Sequence, residues 1–238
     1  MPSYKFLKPL LVAGILFVLA GVCSAQMPGL LGTNMPEMYG KFNLAKVGSY
    51  VEYTLISKST QDEEKLKFSI VGEETTPQGK LYWYEMKINN RNTGETVIMK
   101  MLIAGDPKET GNIKRMIVKR NQEKAMEFPP SLLAMAETQA KSKESTASKE
   151  KEKVKELGKE KLKTSVGTFD CLHLRYREAN EDEADAWTSE KLPIFGLVKF
   201  ESKSKKMELS SYGKDAVSAI TEKPEQLQLP KELGGSGK

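Results

Sequence analysis

Four kinds of side chain in this sequence could carry chemistry: a single histidine, two cysteines, a knot of carboxylates, and a set of aromatic and methionine residues. Because His173 is the only histidine, two-histidine zinc sites and Cys/His metal clusters are excluded. It lies in Phe169-Asp170-Cys171-Leu172-His173-Leu174, where alternation sets it on the side of Cys171 and Phe169. A strand setting of this kind favours a hydrogen-bonded structural histidine over a general base, and a buried small hydrophobe at Cys171 over a nucleophilic thiol. Glu181, Asp182, Glu183 and Asp185 are the densest carboxylates. A glycosidase needs only two, but this set lacks the glycine and spacing of a calcium loop and reads as a solvated hairpin tip. G-x-S-x-G, G-x-x-x-x-G-K-[ST] and G-x-G-x-x-G are all missing from the chain. The expectation is a protein that is not an enzyme and uses no metal or other cofactor.

The aromatic and methionine residues point to binding. Tyr82, Tyr84, Met86 and Ile88 share one strand face, and Val97, Met99, Met101 and Ile103 share another. Methionine adapts its shape to irregular apolar surfaces, which suits a lipid-type ligand, although an ordinary core uses the same residues. The residues expected to line a cavity are Tyr82, Tyr84, Met99, Met101, Trp187 and Phe200.

These side chains must be positioned by strands. Residues 47–56 show apolar groups on both faces, whereas Leu66, Phe68 and Ile70 alternate with Lys65, Lys67 and Ser69, giving one wet face. Thr76-Pro77-Gln78-Gly79 and the turn from Asn89 to Gly94 separate the next strands, and a fifth follows at 112–119. Short turns between consecutive strands make a meander. The pattern resumes at 159–164, 168–177, 184–189, 197–201 and 206–212. The expected fold is mainly β (α+β): an antiparallel curved sheet or half-barrel of about eight or nine strands with one or two covering helices. Apolar rows gain about 25 cal/mol per Å² on burial, so the inner face needs cover. The stretches able to supply it are 34–44 and the start of the insertion described next. A helix-free β-sandwich is the competing arrangement.

The formal charge of +5 suggests a nucleic-acid binder until it is located. Nine lysines and six glutamates fall in residues 137–163, and Lys5 and Lys8 supply two more charges, so the rest of the chain is neutral, with 26 bases against 26 acids. Glu150 with Lys153, Glu152 with Lys155, Glu156 with Lys159 and Glu160 with Lys163 have helical spacing, each worth about 0.2–0.5 kcal/mol. The pairing predicts a solvated charged helix over 136–158. Its glutamates would oppose phosphate contacts, so nucleic acid is not an expected partner.

Residues 1–25 read as a secretory signal peptide: Lys5 and Lys8, an apolar run over 9–22, then Cys23-Ser24-Ala25. The run is shorter than the roughly 20 residues of a spanning helix, so no transmembrane span is expected in the mature chain. Cleavage near Ala25 predicts a periplasmic or secreted protein in which Cys171 is the one thiol and no internal disulfide forms. Lipidation at Cys23 is disfavoured, because Val22 and Ala20 stand where that processing prefers a small and an aliphatic residue. The expected organisation is a lead-in at 26–46, the first half of the sheet at 47–135, the charged insertion at 136–158, the second half at 159–221 and a disordered tail at 222–238.

One phrase is more distinctive: Ala186-Trp187-Thr188-Ser189-Glu190-Lys191-Leu192-Pro193-Ile194-Phe195-Gly196-Leu197-Val198-Lys199. Pro193 blocks ladder pairing, and Gly196 permits the turn into the next strand. With Gly48-Ser49-Tyr50-Val51-Glu52-Tyr53 and Val166-Gly167-Thr168-Phe169-Asp170-Cys171, this phrase resembles bacterial exported proteins of the curved-sheet type shared with the LolA/LolB lipoprotein carriers. The likeness spans roughly residues 47–213 and departs at the Lys/Glu insertion and, unless Cys23 is lipidated, in lacking LolB's lipid anchor. It implies a periplasmic protein that shields a lipid, acyl chain or lipoprotein anchor inside a half-barrel under a mobile lid, and it transfers no catalytic residue. The alternative is an envelope scaffold or protein-interaction module with a filled core, whose partner is another envelope protein.

Overall fold

The computed structural model of the chain describes residues 42–109, 111–135, 138, 153–177 and 183–227. Two units divide the chain, residues 1–38 and residues 39–238, and all described residues lie in the second. The expectations for the signal peptide, for most of the lead-in, for 136–137 and 139–152 of the charged insertion, for Glu181 and Asp182, and for the tail beyond 227 fall outside the described residues.

Among the described residues twelve strands form one sheet: β1 (Tyr50–Ser57), β2 (Glu63–Thr76), β3 (Gly79–Asn90), β4 (Thr96–Ile103), β5 (Ile113–Arg120), β6 (Met126–Glu127), β7 (Lys153–Thr164), β8 (Gly167–Arg177), β9 (Glu183–Thr188), β10 (Leu197–Ser202), β11 (Lys205–Gly213) and β12 (Glu225–Gln226). Their order is β12-β6-β5-β4-β3-β2-β1-β11-β10-β9-β8-β7. The first meander grows away from β1 on one side. The second starts at the far edge with β7 and returns to pair β11 antiparallel with β1. Only β12 joins parallel, against β6.

The count exceeds the expected eight or nine in part because β6 and β12 are two-residue strands, too short for a period-two pattern to reveal, and in part because β7 takes up residues expected to be a charged helix. β12 also places residues 225–226 of the expected tail in the sheet. Helix is scarcer than expected: among the described residues it occupies 130–135 and 138. The charged segment from Lys153 onward is not helical but forms β7, paired with β8 from Lys153 opposite Arg177 to Thr164 opposite Gly167. A full ladder of backbone hydrogen bonds outweighs i, i+3 charge pairs worth a few tenths of a kcal/mol each. Gly158, at φ +122°, sits at the β-bulge that this strand needs.

Register builds an apolar row across the first meander, buried up to its last, half-buried member: Val51, Phe68, Met86, Met99 and Val118 stand opposite one another in turn. A second row runs Ile70, Tyr84, Met101 and Met116, and a third runs Leu55, Met207, Phe200, Ala186 and Leu174. Five irregularities in the ladders, including one at Glu52/Tyr53 and one at Ile70/Gly72, bend the strands that carry these rows.

The opposite face is crossed by residues 214–227. The Ala219 N–H and Ser218 hydroxyl donate to the buried Glu85 carboxylate at 3.0 and 2.7 Å, and Lys100 Nζ donates to Ile220 O. Ile220 packs with Ile98, Ile117, Ala125 and the partly buried Trp83. This strap ends in β12.

Candidate functional site

The centre of the face that carries these rows, opposite the strap and covered by the loop between β9 and β10, is a set of rings. Phe195 stands edge-on to Phe68 at 5.2 Å between centroids, Phe42 is edge-on to Tyr84 and Phe195 at 5.8 Å each, and Phe68 stacks with Tyr84 at 6.4 Å. Tyr53 adds an edge contact to Phe68 at 6.1 Å. Its hydroxyl donates to Leu197 O at 3.0 Å, and burial pushes its phenol well above the usual range. Met86, Met99, Met101 and Met116 are buried beside these rings.

Phe195 reaches this position from the loop joining β9 to β10. Leu192, Ile194 and Phe195 are all buried, although no ladder holds them. The loop is pinned by Ser189 N–H to Gly196 O at 2.6 Å and by Asn43 N–H to Ile194 O at 2.7 Å. Gly196 stands at φ +66°, and a Cβ there would come within 3.1 Å of Ser189 O, so the turn requires glycine. Ile194 stands at φ +69°. For a β-branched residue that region costs about 1–3 kcal/mol and is held only by the surrounding contacts.

Of the residues expected to line a cavity, Tyr82, Tyr84, Met99 and Met101 come together on β3 and β4, with Tyr84 directly opposite Met101 and Tyr82 opposite Ile103. All are buried except Tyr82, which is half-buried. Phe200 is buried on the same face in the other meander, opposite Ala186 and Met207. Trp187 is on the opposite face. Ala186 pairs with Leu174 and Phe200, so its neighbour Trp187 points away, opposite His173 and Lys199. Sequence reasoning missed Phe42, Phe68, Met116 and Phe195. The signal for Phe195 was Pro193 and Gly196, which take the chain out of the ladder just where an apolar triplet occurs.

The outward face around Trp187 is a polar array. The indole stacks on His173 at 4.3 Å and donates to Glu160 Oε1 at 2.5 Å, while Lys199 Nζ lies 4.8 Å from the ring. His173 Nδ1 is 3.0 Å from Glu160 and Nε2 is 3.1 Å from Asp185, so the ring bridges the two carboxylates. The two carboxylates sit on opposite nitrogens and cannot converge on one ion. Burial works against the Asp185 carboxylate, but hydrogen bonds from Arg175 and His173 more than offset it and hold the group below its usual range. Cys171 pairs with Glu160 across the β7–β8 ladder but is buried, contacts Phe169 O, and burial, reinforced by the Glu160 charge, pushes its thiol up to about 11, away from the range of a reactive thiolate. Among the described residues no cluster of three or more His, Cys, Asp or Glu is arranged to hold a metal ion, and no helix is long and apolar enough to cross a membrane.

No protein-family model matches the chain, and no curated protein matches it in sequence. Among solved structures it is similar to a candidate lipoprotein from Parabacteroides distasonis, with 13% identity over 73% of this chain and 99% of that one and a TM-score of 0.36. It is similar to a candidate exported protein with a YmcC-like fold from Bacteroides fragilis, with 10% identity over 74% of this chain and 100% of that one and a TM-score of 0.37. It is also similar to a DUF1329 family protein from Desulfovibrio piger, with 10% identity over 70% of this chain and 85% of that one and a TM-score of 0.28.

Proposed function

We propose that the chain is an exported, non-enzymatic protein of the cell envelope that binds an apolar ligand (a lipid, acyl chain or lipoprotein anchor) on the covered face of its sheet. Loop 189–196 is the plug that the ligand displaces. The observation that carries this reading is Phe195, which caps a floor of Phe68, Tyr84 and buried methionines from a loop held at an unfavourable φ by Ile194. A strained plug is released at lower cost than a relaxed one, and methionines reshape around whatever replaces it. The polar array around His173 has its donors and acceptors already paired with one another, which supports a structural role there.

A second reading, an envelope interaction module with a permanently filled core, draws on the same rings. One pair of measurements separates the two. Native mass spectrometry of the protein purified from its own envelope is expected to show a bound lipid that organic extraction removes. Phe195→Ala is expected to take up a fluorescent fatty acid about tenfold more tightly than the native chain, because the ligand no longer competes with the ring. No copurified lipid and no uptake by either protein would leave the filled-core module standing.

A further inference from the structure

Large apolar side chains exposed singly need no explanation, but their gathering in one place does. Seven are exposed among the described residues, and four of them flank one junction: Leu44 at 36%, Val47 at 43%, Tyr212 at 44% and Val217 at 82%. The junction is where β1 begins and β11 ends. Tyr50 stands opposite Gly213 and Val51 opposite Tyr212, and the Ala216 N–H donates to Gly48 O at 2.8 Å. Gly48, at φ +90°, approaches Lys214 so closely that a Cβ would sit 2.3 Å from its carbonyl oxygen. The turn at 46–49 is therefore pressed against 212–216. Val47 is the tip of that turn, and Val217 follows the residue that clamps it.

The surroundings of these four residues are cationic. Lys46 and Lys214 are exposed within the same two segments, against one exposed acid, Asp215, while the half-buried Lys67, over the Tyr50 ring at 4.2 Å, stands opposite the half-buried Glu52. Protruding aliphatic groups, a tyrosine at the rim and flanking lysines match the interface of an anionic bilayer, where apolar tips enter the acyl boundary and ammonium groups meet phosphates.

We propose that this end of the sheet, formed by Leu44, Val47, Tyr212 and Val217 between Lys46 and Lys214, is a bilayer-docking surface for anionic phospholipid. It rests on the envelope location in the reading above but not on any bound ligand.

The test uses the exported chain, cleaved near Ala25 and carrying Val217→Cys, labelled with an environment-sensitive dye; the buried Cys171 does not compete for label. With vesicles of phosphatidylcholine and phosphatidylglycerol at 7:3, emission is expected to rise about threefold and shift to the blue, as for a group entering the acyl boundary. The same dye at Ser59 is expected not to respond. Adding Val47→Asp should abolish the response, and Lys46→Gln with Lys214→Gln should weaken vesicle binding about fivefold or more, an effect that added salt removes from the native chain. A water-like dye at 217 on vesicles overturns the proposal, as does an equal response at Ser59. A response that grows with protein concentration in the absence of lipid also overturns it, in favour of self-association. Fatty-acid uptake by Phe195→Ala is scored separately, so failure of docking and failure of ligand binding are distinguishable.

Discussion

Glu201 shows how much one exposed charge can do and when. Its carboxylate accepts from Lys199 and Lys58, at 2.8 and 2.9 Å, and those two hydrogen bonds, Lys199 first, hold its carboxyl down to about 2. The folded value lies below the ordinary 4.5, so the stabilisation is complete above about 4.5 and is lost as pH falls from there towards about 2. Both partners are partly solvated, so its size is about 0.5 kcal/mol or less. Glu201→Gln is expected to unfold at slightly lower urea than the native chain at pH 6 and at the same urea concentration at pH 2. A gap that persists at pH 2 would mean that the side chain acts through packing. The same scale explains the misplacement of Trp187. Hydrophobicity ranked the indole as an inward residue, whereas Ala184 and Ala186, small and of opposite parity, mark the inward face. Only the register with Leu174 and Phe200 makes that visible.

At the scale of elements, the strap over residues 214–227 depends on Glu85. Glu85→Ala leaves the Ala219 N–H and the Ser218 hydroxyl without their acceptor and is expected to cost about 1–3 kcal/mol. The loss should appear first as faster cleavage within 214–224 under limited proteolysis, with β3 and β4 still protected. Equal cleavage in both proteins would show that Ile220 and the Lys119–Glu222 pair hold the strap without it. Strands with plain alternation, such as β2 with Leu66, Phe68 and Ile70, were legible in the sequence, as were the turns at Thr76–Gly79 and Asn90–Gly94. Their signals are local: side-chain period and turn chemistry. The first half of β7, residues 153–158, was misread because its local signal, Glu and Lys at helical spacing, is contradicted by a partner that lies outside the segment, whereas its second half, 159–164, was read as strand. The strap was invisible for a related reason. Glu85 reads as a wet-face residue of an alternating strand, and only the return of residues 218–220 across the sheet buries it.

At the scale of the whole sheet, β1 is the strand on which both meanders converge, with β2 on one side and β11 on the other. Its Val51 and Tyr53 are buried, and each of its edges is fully paired. β7 forms one margin of the sheet, with residues 154–161 exposed, and the two-residue β12 forms the other. Hydrogen exchange should rank amides accordingly, slowest in β1, β2 and β3 and fastest in β7 and β12. Comparable protection in β7 and β1 would show that another segment covers the β7 margin. The ring-centred floor was only partly legible, since Tyr84, Met99 and Met101 declare themselves by pattern but Phe42 and Phe195 arrive from outside the ladders.

The central place of β1 also has a consequence in time. Tyr50 and Ser211, which share a hydrogen bond, lie 161 positions apart. A chain emerging from its N-terminus can pair β1 with β2 at once, yet the other edge of β1 stays open until β11 appears near the end of synthesis. β1 reads Tyr-Val-Glu-Tyr-Thr-Leu-Ile-Ser, with no lysine and no proline to discourage a stray partner. The best-protected strand of the finished protein is thus the most vulnerable one in a nascent or prematurely ended chain. A chain that stops before Lys205 is a template for aggregation, and a free copy of the β11 segment is the strand that would complement it.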